Sequence, residues 1–354
     1  MPAYVNAHTH LYSGLMPLGL PYPSPPPPTF LDVLKRFWWR LDRALDAPML
    51  RASARYYVAD ALLHGTHTLI DHHESPCLID GSLDILADAC QELGIRAVLC
   101  YGATERNDGR AEAERGLAEC ARFIRANDRP LVRGVVGLHA AFTASDETIR
   151  EAGELCRKVG SVLHVHVAED RCDVDDARRL GYTGIADRLH RLGALVPGSI
   201  LAHGVHLTRD EVSQVASLGC WLVQNPRSNE ANRVGYPAAL GGSALVALGT
   251  DGFPSHMIVE REAGTRLANA NGEATAAVRN RLEAGARLAA ERFEWNDERT
   301  EIVQRPGCDV VDRLVVAGRV VVDAGRLMTG EWDGLRAEAA EQATRLAARM
   351  RDIN

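Results

Sequence analysis

Eight short apolar runs, at residues 3–8, 67–71, 95–101, 132–138, 161–167, 199–203, 219–223 and 244–249, recur along the chain with longer amphipathic stretches between them. The intervening stretches, among them 30–64, 80–93, 110–126, 145–159, 174–193, 208–217 and 257–270, carry the apolar spacing of helices. Ser145 and Thr208 stand where N-caps belong. Strands joined through helices pair in parallel, and eight of them predict an α/β fold closed into a (β/α)8 TIM barrel. Spacing alone leaves an open, doubly wound sheet as the alternative. The length of 354 residues suits one such barrel with appendages.

Composition narrows the function classes. The net charge of −7 lacks the basic footprint of a nucleic-acid binder, and 46% hydrophobic content excludes a disordered chain. No apolar run approaches the 18 residues of a membrane span, and the first residues lack the basic and apolar segments of a secretory signal. The eight cysteines form no CxxC pair and read as buried thiols in a reducing compartment. The expectation is a cytoplasmic protein that acts on a small molecule, without nucleic-acid or membrane partners. A homodimer stays open.

Two segments break the βα alternation. Residues 17–29 hold seven prolines directly after the first strand, which predicts a stiff loop over that strand's C-terminal end, as spacer or as lid. Residues 311–327 read as a β-hairpin about Ala317-Gly318, and the tail after Glu331 as a helix. The expected division is a barrel at 1–293, a hairpin unit at 294–330 and a C-terminal helix at 331–354.

Four strand ends carry chemistry, at the barrel face where such enzymes place it. In Asn6-Ala7-His8-Thr9-His10 the histidines are two apart, so an extended backbone points both the same way. His164-Val165-His166-Val167-Ala168-Glu169 adds a third imidazole and a nearby carboxylate, with His164 one layer deeper as an interior residue. Ala202-His203-Gly204 and Gly249-Thr250-Asp251-Gly252 follow at later strand ends. Taken singly, each is an ordinary hydrogen-bonding or turn residue. Together, three histidines and an aspartate form a sensible set for one divalent metal with an open water position. Such an ion lowers the pKa of water towards about 7. Glu169 can then shuttle the proton, and His203 can polarise the bond under attack.

HTH, HxxE, AHG and GTDG in this order resemble the amidohydrolase superfamily. Segments 8–15 (HTHLYSGL), 30–46, 70–76 (IDHHESP), 138–143 (LHAAFT) and 225–229 (NPRSN) look most like the SsnA-like aminohydrolases, relatives of guanine deaminase and the triazine hydrolases. The resemblance implies His8, His10, His166 and Asp251 as metal ligands, and Glu169, His203 and Asp251 as catalytic groups. It implies hydrolytic deamination of a nitrogen heterocycle by metal-bound hydroxide. Hydrolysis of a cyclic amide, lactam or chloro-heterocycle at the same site is the alternative, as is a truncated, non-catalytic metal-binding homologue. His139 sits where relatives contact substrate, and Asn225 and Ser228 are expected to line the pocket. Arg106, Trp38 and Trp39 are candidates for its mouth, and His256 for another substrate contact. His72 and His73 are expected to be solvated.

Lysine scarcity decides the metal count. Binuclear relatives bridge two ions with a carbamylated lysine, commonly after the fourth strand. Lys35 and Lys158 are the chain's only lysines, and neither falls there. One ion per chain is expected, zinc first, with iron or manganese as alternatives. Relatives also carry a segment ahead of the HTH strand that forms half of a small β-sandwich, so the 311–327 hairpin reads as a remnant of that domain.

Overall fold

The apolar runs fold as strands whose residues are almost all buried, so each is covered on both faces. The computed structural model describes residues 4–295, 299–304 and 307–353. Its barrel strands are β1 (Tyr4–Thr9), β2 (Thr66–Asp71), β3 (Arg96–Leu99), β4 (Gly102–Ala103), β5 (Val132–Gly134), β6 (Val136–Ala140), β7 (Leu163–Val167), β8 (Ile200–His203), β9 (Trp221–Gln224) and β10 (Val246–Leu248). All pairings are parallel, in the orders β1-β2-β3-β5 and β4-β6-β7-β8-β9-β10. Each of the pairs β3/β4 and β5/β6 is one barrel strand with an interruption. The parallel bridge between His73 and Tyr101 carries the ring across the first break.

The ring closes where the His8 carbonyl accepts from Thr250 N at 2.9 Å and Asp251 N at 3.0 Å. Glycine at 249 permits that seam. A Cβ there would stand 2.5 Å from Asn225 Oδ1 and 2.7 Å from the His8 carbonyl oxygen. Any larger residue would therefore push apart the strand that carries His8 and the loop that presents Asp251. The (β/α)8 barrel is the observed architecture.

Around it lie α1 (Phe30–Val33), α2 (Trp39–Ala44), α3 (Ala47–Leu63), α4 (Ser82–Leu93), α5 (Arg110–Ala126), α6 (Asp146–Val159), α7 (Arg171–Arg179), α8 (Ile185–Arg191), α9 (Arg209–Ser217), α10 (Pro226–Ala231), α11 (Met257–Ala270) and α12 (Thr275–Phe293). Ser145 caps α6, and Thr208 forms a capping box with Glu211 on α9. The single helix expected over 30–64 is three pieces. A π turn at Leu34–Trp38 joins α1 to α2, and Leu45 is extended. Asp46 then restarts the helix by accepting from Met49 N at 3.0 Å, with proline in the first turn. The helix expected at 174–193 likewise splits, because the turn at Gly181 (φ +86°) interrupts it.

The C-terminal hairpin belongs to a four-stranded antiparallel sheet of β11 (Glu301–Val303), β12 (Arg313–Val316), β13 (Arg319–Asp323) and β14 (Arg326–Leu327), in that order. The stretch before the hairpin thus supplies a strand, β11, that covers one hairpin edge. Ala317 and Gly318 both have positive φ, 51° and 86°, which matches the twist of paired strands. Ile302 and Val311 rest on Gly65, and Val311 N donates to the Leu63 carbonyl at 2.9 Å. These contacts lie at the N-terminal ends of β1 and β2, opposite the chemical face.

The chain ends in α13 (Trp332–Asp352), whose Leu335, Ala339, Ala343, Leu346 and Met350 form one buried stripe. Each large member contributes roughly 1.5–3 kcal/mol by burial. Trp332 stacks on Tyr56 of α3, and Arg40 of α2 donates to the Met350 carbonyl at 2.8 Å. α13 thus braces the corner that presents Trp38 and Trp39. Among the cysteines, Cys77 and Cys308 are exposed and Cys172 is half-buried, so the expectation of uniformly buried thiols is corrected. No helix among the described residues is long and apolar enough to cross a membrane.

Candidate metal centre and active-site pocket

The barrel ends that carry the candidate residues are also where its backbone departs from ordinary conformations. Ala168 (φ 46°), His203 (φ 75°) and Asp251 (φ 53°) are non-glycine residues in the left-handed region. Such residues are uncommon and cluster at functional sites, where the surrounding structure holds them. Each turns the chain sharply at the end of its strand: Ala168 after β7, His203 at the end of β8 and Asp251 beyond β10.

Alternation along β1 sends His8 and His10 to the same side, as the HxH spacing requires. His10 Nε2 lies 2.8 Å and His8 Nε2 3.3 Å from Asp251 Oδ1. His166 Nε2 is 3.4 Å from His10 Nε2. Separations of about 3.3–3.4 Å are the edges of a tetrahedron with metal–nitrogen bonds of about 2.0–2.1 Å.

The outer nitrogens fix the tautomers. His10 Nδ1 donates to the His72 carbonyl at 2.5 Å, and His166 Nδ1 to the His139 carbonyl at 2.6 Å. A carbonyl only accepts, so the proton sits on Nδ1 and the Nε2 lone pair faces inward. His8 Nδ1 pairs with His164 Nε2 at 2.9 Å, which gives the deeper histidine of β7 its place. His8, His10, His166 and Asp251 therefore fit a divalent cation: three inward imidazole nitrogens and one carboxylate oxygen, with the imidazoles oriented from behind.

His203 is set differently. Asn229 and Asn225 turn their Nδ2 groups to its Nδ1, at 2.9 and 3.4 Å, so Nε2 carries the proton. That buried Nε2 has no hydrogen-bond partner and lies 3.5 Å from Glu169 Oε2 and 4.0 Å from Asp251 Oδ1. It is a free donor aimed into the site.

Without a cation, the inward Nε2 of His10 instead carries a proton to Asp251, 2.8 Å away. Burial holds the imidazolium form of His8 down to about 3 and of His203 to about 4, and puts His166 far below its ordinary range. Burial also opposes charge on His10, but the hydrogen bond and charge of Asp251 lift it to about 9. Burial works against the Asp251 carboxylate, yet hydrogen bonds from His10 and His8 keep it well below the carboxylate range. Glu169 moves the other way: burial, then the negative charge of Asp251, raise it well above.

A half-open cavity lies over these groups. Its walls include His10, His139, His166, Glu169 and Asp251, the aromatics Tyr12, Phe30, Trp38, Trp39 and Phe142, and the polar Glu74 and Asn232. Trp38 and Trp39 come from the π turn and α2, so the segment after the proline loop forms the lid wall. Asn225 and Ser228 stand behind the site and not on this wall: Ser228 Oγ donates to Asp251 Oδ2 at 2.5 Å, and Asn225 supports His203. Arg106 pairs with Asp42 at 2.8 Å outside the cavity. His72 and His73 are wholly buried, not solvated, because the chain turns inward after β2. His256 faces away, bonded to Asp60 at 2.8 Å and stacked on His64. Sequence reasoning missed Glu74, Tyr12 and Asn232 as wall residues. Asn232 lies one helical turn after Ser228 and donates to Glu169 Oε1 at 3.2 Å.

The family model described as "Amidohydrolase family" matches residues 1–297. The chain belongs to that family. It is similar to a 5-methylthioadenosine/S-adenosylhomocysteine deaminase of Pyrococcus abyssi, 27% identical over 274 residues, which cover 76% of this chain and 62% of that protein. An 8-oxoguanine deaminase of Pseudomonas aeruginosa is 28% identical over 274 residues, 72% of this chain and 60% of that one. The chain thus spans about three fifths of the length of the curated relatives it matches. In fold, a crystal structure of an adenosine deaminase from Xanthomonas campestris with bound zinc superposes with a TM-score of 0.83 at 22% identity. It covers 98% of this chain and 86% of that one.

Proposed function

We propose that this chain is a metal-dependent aminohydrolase that converts an amino-substituted nitrogen heterocycle and water into the oxo-heterocycle and ammonia. His8, His10, His166 and Asp251 are the residues that would hold the ion, and three nitrogens with one oxygen suit zinc. When bound, it supplies a Lewis acid that lowers the pKa of water towards about 7. Asp251 takes a proton from the attacking water. Glu169 delivers its proton to the ring nitrogen and takes back the proton of the new hydroxyl, while Asp251 passes the water proton to the departing amine. His203 Nε2–H donates to the oxygen that gains charge as the C–N bond breaks. Asn232 holds Glu169, and His139, on the cavity wall, contacts the substrate.

The observation that carries this reading is the half-buried carboxyl of Glu169, 3.5 Å from the His203 donor and held by Asn232 beside the four-donor cluster. A storage site has no use for a proton shuttle. The relatives named as deaminases of adenine- and guanine-type rings support the same chemistry. On this reading, 294–330 and 331–354 are appendages to the 1–293 barrel, and the protein works in the cytoplasm.

The test is ammonia release by the zinc-loaded protein from aminopurines, aminopyrimidines and aminotriazines. Glu169→Gln should lower kcat by about 10²–10⁴-fold with metal content unchanged. Carboxylate or chloride products without ammonia would move the assignment to the cyclic-amide or chloro-heterocycle alternative. Full activity in the variant would remove Glu169 from the mechanism.

A further inference from the structure

One wall residue is not used by the chemistry above. Glu74 follows β2 and is 3% exposed, yet it carries a carboxylate at the cavity. Tyr12 donates to its Oε2 at 3.1 Å. His72 Nδ1 lies 3.0 Å from Oε1, but without hydrogen-bond alignment, and Oε1 has no hydrogen-bond partner. A ligand-type oxygen of Glu74 comes within 4.8 Å of ring nitrogens of His139 and His166, so this carboxylate borders the reacting centre.

Room for it is reserved. A Cβ on Gly102 would stand 2.4 Å from His72 Cε1 and 2.7 Å from Glu74 Oε1, so only glycine lets both side chains lie there. A buried carboxylate oxygen left without a donor is costly, and a bound molecule can supply the missing N–H. An ionised carboxylate accepts only, so that molecule must donate. The surrounding Tyr12, Trp38, Trp39 and Phe142 present ring faces and edges, which suit a flat partner.

We propose that Glu74 anchors the substrate by accepting from a ring N–H or a neighbouring amino group of the heterocycle. This rests on the aminohydrolase reading for the fate of the substrate, but the anchoring itself is a binding property. Glu74 is a specificity-determining residue on this account: it prefers an amidine- or guanidine-like edge over an edge of carbonyl oxygens.

The experiment is equilibrium binding to the zinc-loaded protein, read by quenching of tryptophan fluorescence, in a Glu169→Gln background that prevents turnover. The probes are isocytosine and uracil. Isocytosine should bind at least tenfold tighter than uracil. Adding Glu74→Gln, which supplies an N–H in place of an acceptor, should weaken the amino base at least tenfold and collapse its advantage over uracil. Metal content and melting temperature, measured alongside, should stay unchanged. An unaltered isocytosine-to-uracil ratio in the Glu74 variant would overturn the proposal, as would no binding of isocytosine. Ammonia release in the Glu169 protein decides separately. Glu74-dependent binding without ammonia would overturn the aminohydrolase reading alone, and ammonia release with a Glu74-independent KM would overturn the anchor alone.

Discussion

His164 is the residue whose replacement tests the support behind the metal centre most cleanly. Its Nε2 lies 2.9 Å from His8 Nδ1, and its own Nδ1 is 3.7 Å from Cys100 Sγ. Both histidines are wholly buried, so no solvent reaches the gap that a leucine would leave. In the metal-free protein His8 can respond to His164→Leu by moving its proton to Nε2 and donating to Asp251 Oδ1, 3.3 Å away. With a cation on Nε2 that escape is closed, and Nδ1–H stays buried without an acceptor. An unmet buried donor costs about 1–3 kcal/mol, and the loss falls on the metal-bound state. The expected result is a metal affinity about 10–100-fold weaker, the usual range for removing such a supporting partner. The assay is competition for zinc against a chromogenic chelator, with metal-free melting temperatures to confirm folding. His164→Asn, which keeps an acceptor, should recover part of the affinity. Wild-type affinity in the leucine variant would refute the reasoning, because His8 would then need no partner behind it.

Three further outcomes follow from other parts of the molecule. Burial raises Asp173 to about 7, although it accepts from Ala168 N and Phe142 N. The native state then holds this proton more tightly than the unfolded chain, so the contribution of Asp173 to stability is full below about pH 4 and is lost as pH rises to about 7. Asp173→Asn should therefore gain stability relative to wild type by roughly 3–4 kcal/mol across that window, as read by urea unfolding at a series of pH values; a constant difference would contradict it. Leu346→Ala removes a wholly buried side chain from the α13 stripe and should cost about 2–5 kcal/mol, measured as a lower urea midpoint with an unchanged m-value. Arg188→Met strips a buried guanidinium from Asp146, Asp176 and the Ala141 and Ala144 carbonyls; a loss of about 3–5 kcal/mol is expected, and a neutral result would show that these groups find other partners.

Much of the site was legible because its spacing is dictated by backbone geometry. The two-residue step of His8 and His10 has one physical meaning in a strand, and His166, His203 and Asp251 each sit where an apolar run stops. The family resemblance then joined them in one set. What stayed hidden depends on how the chain turns after its strands. Nothing in His72-His73-Glu74 marks three polar residues as buried, since tertiary closure decides it. The choice between ligand and donor for His203 rests on Asn225 and Asn229, two amides more than twenty residues away. The break in the long helix was visible in Asp46-Ala47-Pro48, but the apolar periodicity on both sides masked it. The small sheet could be seen only in part, because β11 is three residues long and two of them are exposed.

The central claim is one cation held by His8, His10, His166 and Asp251. Elemental mass spectrometry on protein purified without chelators tests it directly, with His166→Ala measured beside the wild type. About one divalent ion per chain is expected, falling to near zero in the variant. His166 belongs to all three donor groups found at this end of the barrel, one of which joins it to His8, Asp251 and His203, so its loss weakens each of them. No metal in the wild type, even after reconstitution with zinc, would contradict the account. So would a full equivalent retained by the variant, which would place the ion elsewhere, as at Asp60, His64 and His256.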